Sequence, residues 1–196
     1  MGDIKSAREI AMEKIAKIGE PTEEERLEWK YLPEGEKLAA RYLKQNADIL
    51  AELGKFDKKA TKYVIRGVNT VLIKNINLPR DEASKRTNKL VLDGIKAIKT
   101  DKARTEAVLN QIRHVFNHYA EQGEKQIKQA YTALKSDFQA KVEQALQQQG
   151  GNMAGVRIDI EKQPQFLEEW RKLKGQLEGQ YNQLLDEYKQ QLAAIN

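Results

Sequence analysis

Few residues in this chain could do chemistry. There are two histidines and no cysteine. His114 and His118 stand four apart, a spacing that can bring two imidazoles on one side of a helix to a single metal ion. A zincin motif would need glutamate directly after the first histidine, and Val115 stands there, with Glu121 three residues beyond His118. No third histidine completes the set, so the pair is a weak metal candidate. It reads first as the polar flank of a stripe through Val115 and Tyr119. The lack of cysteine removes disulfides, thiolate zinc sites, iron–sulfur clusters and cysteine nucleophiles.

Carboxylates occur in pairs, such as Glu24/Glu28, Glu168/Glu169 and Asp186/Glu187. Acid–base catalysis needs two such groups with pKa values driven apart by a dry site, and nothing in the sequence singles out one pair. They read as solvated helix faces. Neither a phosphate-binding GxxxxGK[ST] loop nor a GxSxG nucleophile elbow is present. The glycine-rich Gly150–Gly155 segment lacks the lysine of a phosphate cradle. No catalytic residue, metal or cofactor is assigned, no small-molecule substrate is evident, and the chain is expected not to be an enzyme.

Charge is the more informative feature. The formal net charge is +5, and it is unevenly spread. Residues 1–54 carry 9 basic and 12 acidic groups, residues 55–104 carry 14 and 5, and residues 105–196 carry 11 and 12. Lys55, Lys58, Lys59, Lys62 and Arg66 step by three and four, so they share a helix face; Lys85, Arg86 and Lys89 cluster on the next helix. Such a face suits a polyanion. The competing reading is a solvated surface balanced by the acidic stretch from Glu20 to Glu28. Only Phe56 and Tyr63 interleave with these cations, so stacking on single-stranded bases has little support.

The elements that would carry these residues are helices. Charged residues make up 32% and apolar ones 40%, with 4 prolines and 12 glycines, a composition of long helices rather than of a sandwich or barrel. Apolar positions recur at three- and four-residue steps from Ile4 to Ile18, with Asp3 as N-cap. Thr22 and Glu25 have capping-box spacing and open a short helix that Pro33 should break. Further stripes run from Leu38 to Leu53, Tyr63 to Ile76 and Ala83 to Ile98. Asp101 should cap a long helix reaching about Gln149, whose apolar row takes a step of eight from Tyr119 to Ile127 across Gly123. Val156, Ile158 and Ile160 alternate as in a short extended piece. Pro164, suited to a first helical turn, opens a last helix with the row Phe166, Trp170, Leu173, Leu177, Tyr181, Leu184, Tyr188, Leu192 and Ile195. Its repeat is eleven residues, which predicts a straight or slightly right-handed pairing.

The expected fold is all-α. A small helical head with a basic face (residues 1–104) is followed by a long antiparallel two-helix hairpin, a coiled-coil rod (residues 105–196, tip near 150–163). In that arrangement the last helix covers only the distal two-thirds of the long one. Trp29 and Tyr31 beside Pro33, together with Trp170, Tyr181 and Tyr188 on the hairpin, are candidate partner-binding residues. Glutamines dominate the faces around the hairpin's apolar rows.

No run reaches the roughly 20 apolar residues of a membrane span. The start lacks the apolar core of a secretory leader. Gly2 and Ser6 fit a loose acylation pattern, for which the capping role of Asp3 is the plainer account. A cytoplasmic location is expected. No stretch carries the motif of a known family. The function expected is a non-enzymatic scaffold or adaptor acting through the hairpin, its partner another protein or a second copy of itself. The alternative is an RNA- or ribosome-binding factor using the basic face of residues 55–104.

Overall fold

The computed structural model describes residues 21–148 and 159–196, apart from the side chains of Leu146 and Gln148. The expected helix from Ile4 to Ile18, the Asp3 cap, the Gly2 pattern and the Gly150–Gly155 turn lie outside them. Among the described residues every element is helical and none is a strand. None of these helices is long and apolar enough to cross a membrane. The chain divides into two compact units, one up to Leu72 and one from Ile73 onward.

In the first unit, α1 spans Glu23–Gln45, α2 Ile49–Leu53 and α3 Lys58–Lys74, the last running across the boundary. The capping box at the start of α1 forms as its spacing predicts. The Thr22 side chain accepts from the Glu25 N–H, and the Glu25 carboxylate accepts from the Thr22 N–H at 2.7 Å. Pro33 does not end the helix but lies inside it. An interior proline costs about 3 kcal/mol through its missing N–H and ring crowding. Packing just beyond it opposes that cost: Gly35, Leu38 and Ala39 are buried. A β-carbon on Gly35 would lie 2.0 Å from the Val64 carbonyl oxygen, and one on Gly67 2.2 Å from that of Leu32. The two helices therefore cross backbone to backbone, which only glycine permits.

The stripe from Leu38 to Leu53, which reads as one helix, is two. Asn46 takes the left-handed conformation (φ 53°) that closes α1, and Asp48 caps α2 by accepting from the N–H groups of Leu50 and Ala51. The break leaves Leu50 exposed. Ile49, Leu53, Ala60, Tyr63, Val64 and Val68 complete this core.

The second unit contains α4 (Glu82–Ile98), α5 (Lys102–His118), a π-helical turn (Tyr119–Gly123), α6 (Glu124–Gln148), a 3-10 turn (Ile160–Lys162) and α7 (Pro164–Ala194). Asp101 caps α5 and Pro164 opens α7, each where its residue type predicts, and Asp81 caps α4. Ile160 belongs to the 3-10 turn rather than to an extended piece, and it is buried with Phe138 and Phe166. The turn before α4 is held by buried Asn88, whose side chain accepts from the Asn77 N–H (3.1 Å) and donates to the Asn77 carbonyl (2.7 Å).

The π turn accounts for the eight-residue gap in the sequence. One residue more than two ordinary helical turns is absorbed there, with the Glu124 N–H donating to the Tyr119 carbonyl. Buried Gly123 makes room for the Tyr119 ring, since a β-carbon there would lie 2.8 Å from it.

Contacts between α7 and the α5–α6 segment run antiparallel. Phe166 stacks edge-on against Phe138 and Tyr131. Glu178 and Tyr181 meet Tyr119, and the chain end meets the start of α5. There Lys99 donates to the Ile195 carbonyl, while the Thr100 hydroxyl (2.9 Å) and N–H (3.1 Å) donate to the Asn196 carbonyl. The last helix thus follows α5 over its full length rather than leaving 105–119 to the shorter helices.

Candidate functional site

Over its middle, the buried face of α7 is displaced from the row visible in its sequence. Phe166, Glu178, Leu185 and Leu192 are the buried residues of the helix, and Leu185 and Leu192 follow Glu178 at seven-residue steps. The eleven-residue row shares Phe166 and Leu192 with this face, but its middle, from Trp170 to Tyr188, lies to one side. Trp170, Leu173, Leu177, Tyr181 and Tyr188 are only half-buried, and Leu184 is 40% exposed. Trp170 packs edge-on against Tyr131 with centroids 4.9 Å apart, which covers one side of it. Exposed Gln176, Gln180, Gln183 and Gln191 border the row. The outcome is an apolar strip of about five helical turns with one edge covered and the other in solvent.

At the middle of α7 the buried residue is charged. Arg80 donates to both carboxylate oxygens of Glu178, from Nε at 3.0 Å and Nη2 at 2.6 Å, and the Tyr119 hydroxyl donates at 2.8 Å. Burial pushes the Glu178 pKa up, but the hydrogen bonds from Arg80 and Tyr119 and the Arg80 charge outweigh it, so the carboxyl lies below its usual range. Burial first, then the hydrogen bond to Glu178, pushes the Tyr119 hydroxyl well above the ordinary tyrosine value. Beside it, Tyr181 packs edge-on against Tyr119 at 5.3 Å, and its hydroxyl lies 3.0 Å from His118 Nδ1. The carboxylate takes three hydrogen bonds from within the fold and serves it.

His114 and His118 are both exposed. Among the described residues no three histidine, aspartate or glutamate side chains group as a metal would require. The hydrogen bond of His118 to Tyr181 gives it a polar-flank position.

The cations fall in two places. In the first unit Lys59 pairs with Glu23 (3.2 Å), Lys62 with Glu24 (3.3 Å), Arg66 with Glu28 (3.0 Å) and Lys55 with Glu52. The acidic start of α1 thus lies along the basic face of α3, as the balancing reading anticipates. Lys58 is exposed. In the second unit Lys85 pairs with Glu82 at 2.9 Å. Lys85 and Lys89 line a cleft between α4 and α5, while Arg86 is exposed outside it.

Trp29 is 67% exposed, and Tyr31 is half-buried edge-on against Phe56 at 6.1 Å. Sequence reasoning missed Arg80, Tyr119 and Glu178 as a group, because 98 residues separate the two ions. The one hint was a glutamate beside an apolar row. It also missed Arg113 and Asn117, which join Lys85 and Lys89 at the cleft.

No curated protein and no solved structure gives a significant match to the chain. A family model does match, over residues 50–194, which takes in α3 from its first residue and the second unit as far as the end of α7. The chain belongs to that family, the family of unknown function DUF6657.

Proposed function

We propose that this protein is a non-enzymatic helical adaptor that associates through α7, with a second copy of itself as the partner. The observation that carries this reading is the half-covered row Trp170, Leu173, Leu177, Tyr181, Leu184 and Tyr188. A contiguous apolar strip on a helix already paired along its neighbouring face is the form of an association surface. Its border favours self-association. Glutamine amides both donate and accept hydrogen bonds, so a rim of Gln176, Gln180, Gln183 and Gln191 is complementary to a copy of itself. A charged rim would ask for a partner of opposite sign. Symmetric pairing of one patch with itself is the commonest way chains associate.

Polyanion binding by the basic face is the weaker reading, because carboxylates of the same unit already neutralise Lys55, Lys59, Lys62 and Arg66. Trp170 provides the test. With Trp29→Phe it is the sole tryptophan. Its emission should shift to the blue and its quenching by acrylamide should fall as the concentration rises from sub-micromolar to tens of micromolar. Emission and quenching that stay constant over that range would contradict association through this row.

A further inference from the structure

The cleft between α4 and α5 holds about 300 Å³, near the lower end of small-ligand sites. Its lining comes from two helices in matching steps. Along α4, Lys85 and Lys89 are four apart at the rim, with Asn88 and Leu92 four apart beneath them. Along α5 and the π turn, Arg113 and Asn117 are four apart at the rim, with Phe116 and Ala120 beneath. Pro79 closes one end. Leu92, Phe116, Asn88 and Pro79 are buried, so the floor is firm and mainly apolar.

Three cations border this floor, and Asp93 is the one carboxylate lining it. Two of the cations are held in place by acids outside the cleft: Lys85 by Glu82, and Arg113 by Glu106 at 2.7 Å, with Asn110 also accepting from Arg113 at 2.6 Å. Lys89 makes no ion pair among the described residues. The amide of Asn88 is committed to Asn77, whereas Asn117 is exposed at the rim.

We infer that this cleft binds a small amphipathic anion, an aromatic or aliphatic body bearing one carboxylate, sulfonate or phosphate group. The body lies on Leu92, Phe116 and Ala120, and the anionic group meets Lys89 and Arg113. A fully apolar ligand would leave the cations without use. A highly charged one, such as a nucleic acid backbone, would have no use for the floor and would meet Asp93 as well. The site is independent of the association surface on α7, so either can fail alone.

Anilinonaphthalene sulfonate is a suitable probe, and neutral N-phenylnaphthylamine has the same rings without the charge. Titrated into the full chain, the sulfonate should saturate one site with micromolar affinity. It should move the side-chain amide resonances of Asn88 and Asn117. The neutral probe should bind at least tenfold more weakly. Lys89→Glu should weaken sulfonate binding at least fivefold. Arg86→Glu, with the same charge change on the same helix but outside the cleft, should leave it within twofold. Ala120→Trp, with its helical circular dichroism retained, should abolish binding by filling the floor. The inference is overturned by an absence of saturable binding, by binding that leaves both amides unmoved, by equal affinity of the two probes, or by equal effects of the two charge reversals.

Discussion

The two units use the same materials in opposite ways. In the first, α1 and α3 touch through backbone at Gly35 and Gly67, and their charges pair across the outside in exposed bridges from Glu23, Glu24 and Glu28. In the second, glycines on α7 touch nothing: a β-carbon at Gly175 or Gly179 would meet no atom within 4 Å. The decisive charge pair, Arg80 with Glu178, is drawn inward. A glycine's worth therefore depends on what stands opposite it, and a salt bridge's on how much water it has lost. Neither can be read from residue type alone.

The largest expected effect comes from adding a methyl group at the crossing. Gly35→Ala and Gly67→Ala each force a β-carbon against a carbonyl oxygen that cannot swing away. Each should destabilise by about 3 kcal/mol, the upper end of ordinary overpacking, measured by urea denaturation. Losses under 1 kcal/mol would mean that the helices can separate at little cost.

Next is the buried carboxylate. Glu178→Ala should cost about 2–3 kcal/mol, below the full cost of breaking a buried pair because the Arg80 side chain is 46% exposed. The pH dependence has a definite sign. The folded pKa of Glu178 is lowered, so its contribution is complete above the unfolded value of about 4.3. It is lost as pH falls through the folded pKa. Thermal melts between pH 3 and 6 should show a shallower acid loss in Glu178→Gln than in the parent. Identical slopes would mean that the carboxyl is not ionised in the fold.

The sign then reverses. Gly175→Ala and Gly179→Ala should each stabilise by about 0.5–1 kcal/mol, the helix-propensity gain of an open interior site. Destabilisation at either would show a close contact there. The smallest effect belongs to the exposed ladder. Glu24→Gln should change stability by about 0.3 kcal/mol, and less at high salt.

Local rules made much of the fold legible. The Thr22 box, the Asp101 cap and Pro164 at the start of α7 each depend on a few neighbouring residues. The features that escaped depend on residues far apart. Pro33 reads as a breaker until Val64 is known to lie against Gly35. The stripe to Leu53 reads as one helix because its period survives the Asn46 bend. The α7 row reads as the buried face because periodicity reports apolar residues, while Glu178 and Leu185 take the centre. The candidate sites followed the same division. Lys85 and Lys89 stand out by spacing within one helix, whereas Arg113 joins them only when α5 packs beside α4.

The proposed function rests on the uncovered edge of α7, and Leu184 is the most exposed residue of its apolar row. Light scattering of the full chain at tens of micromolar, set beside Leu184→Glu, tests it directly. The account predicts the mass of a dimer for the parent and of a monomer for the variant, with helical circular dichroism unchanged. A monomeric parent, or a dimer indifferent to the substitution, would contradict it.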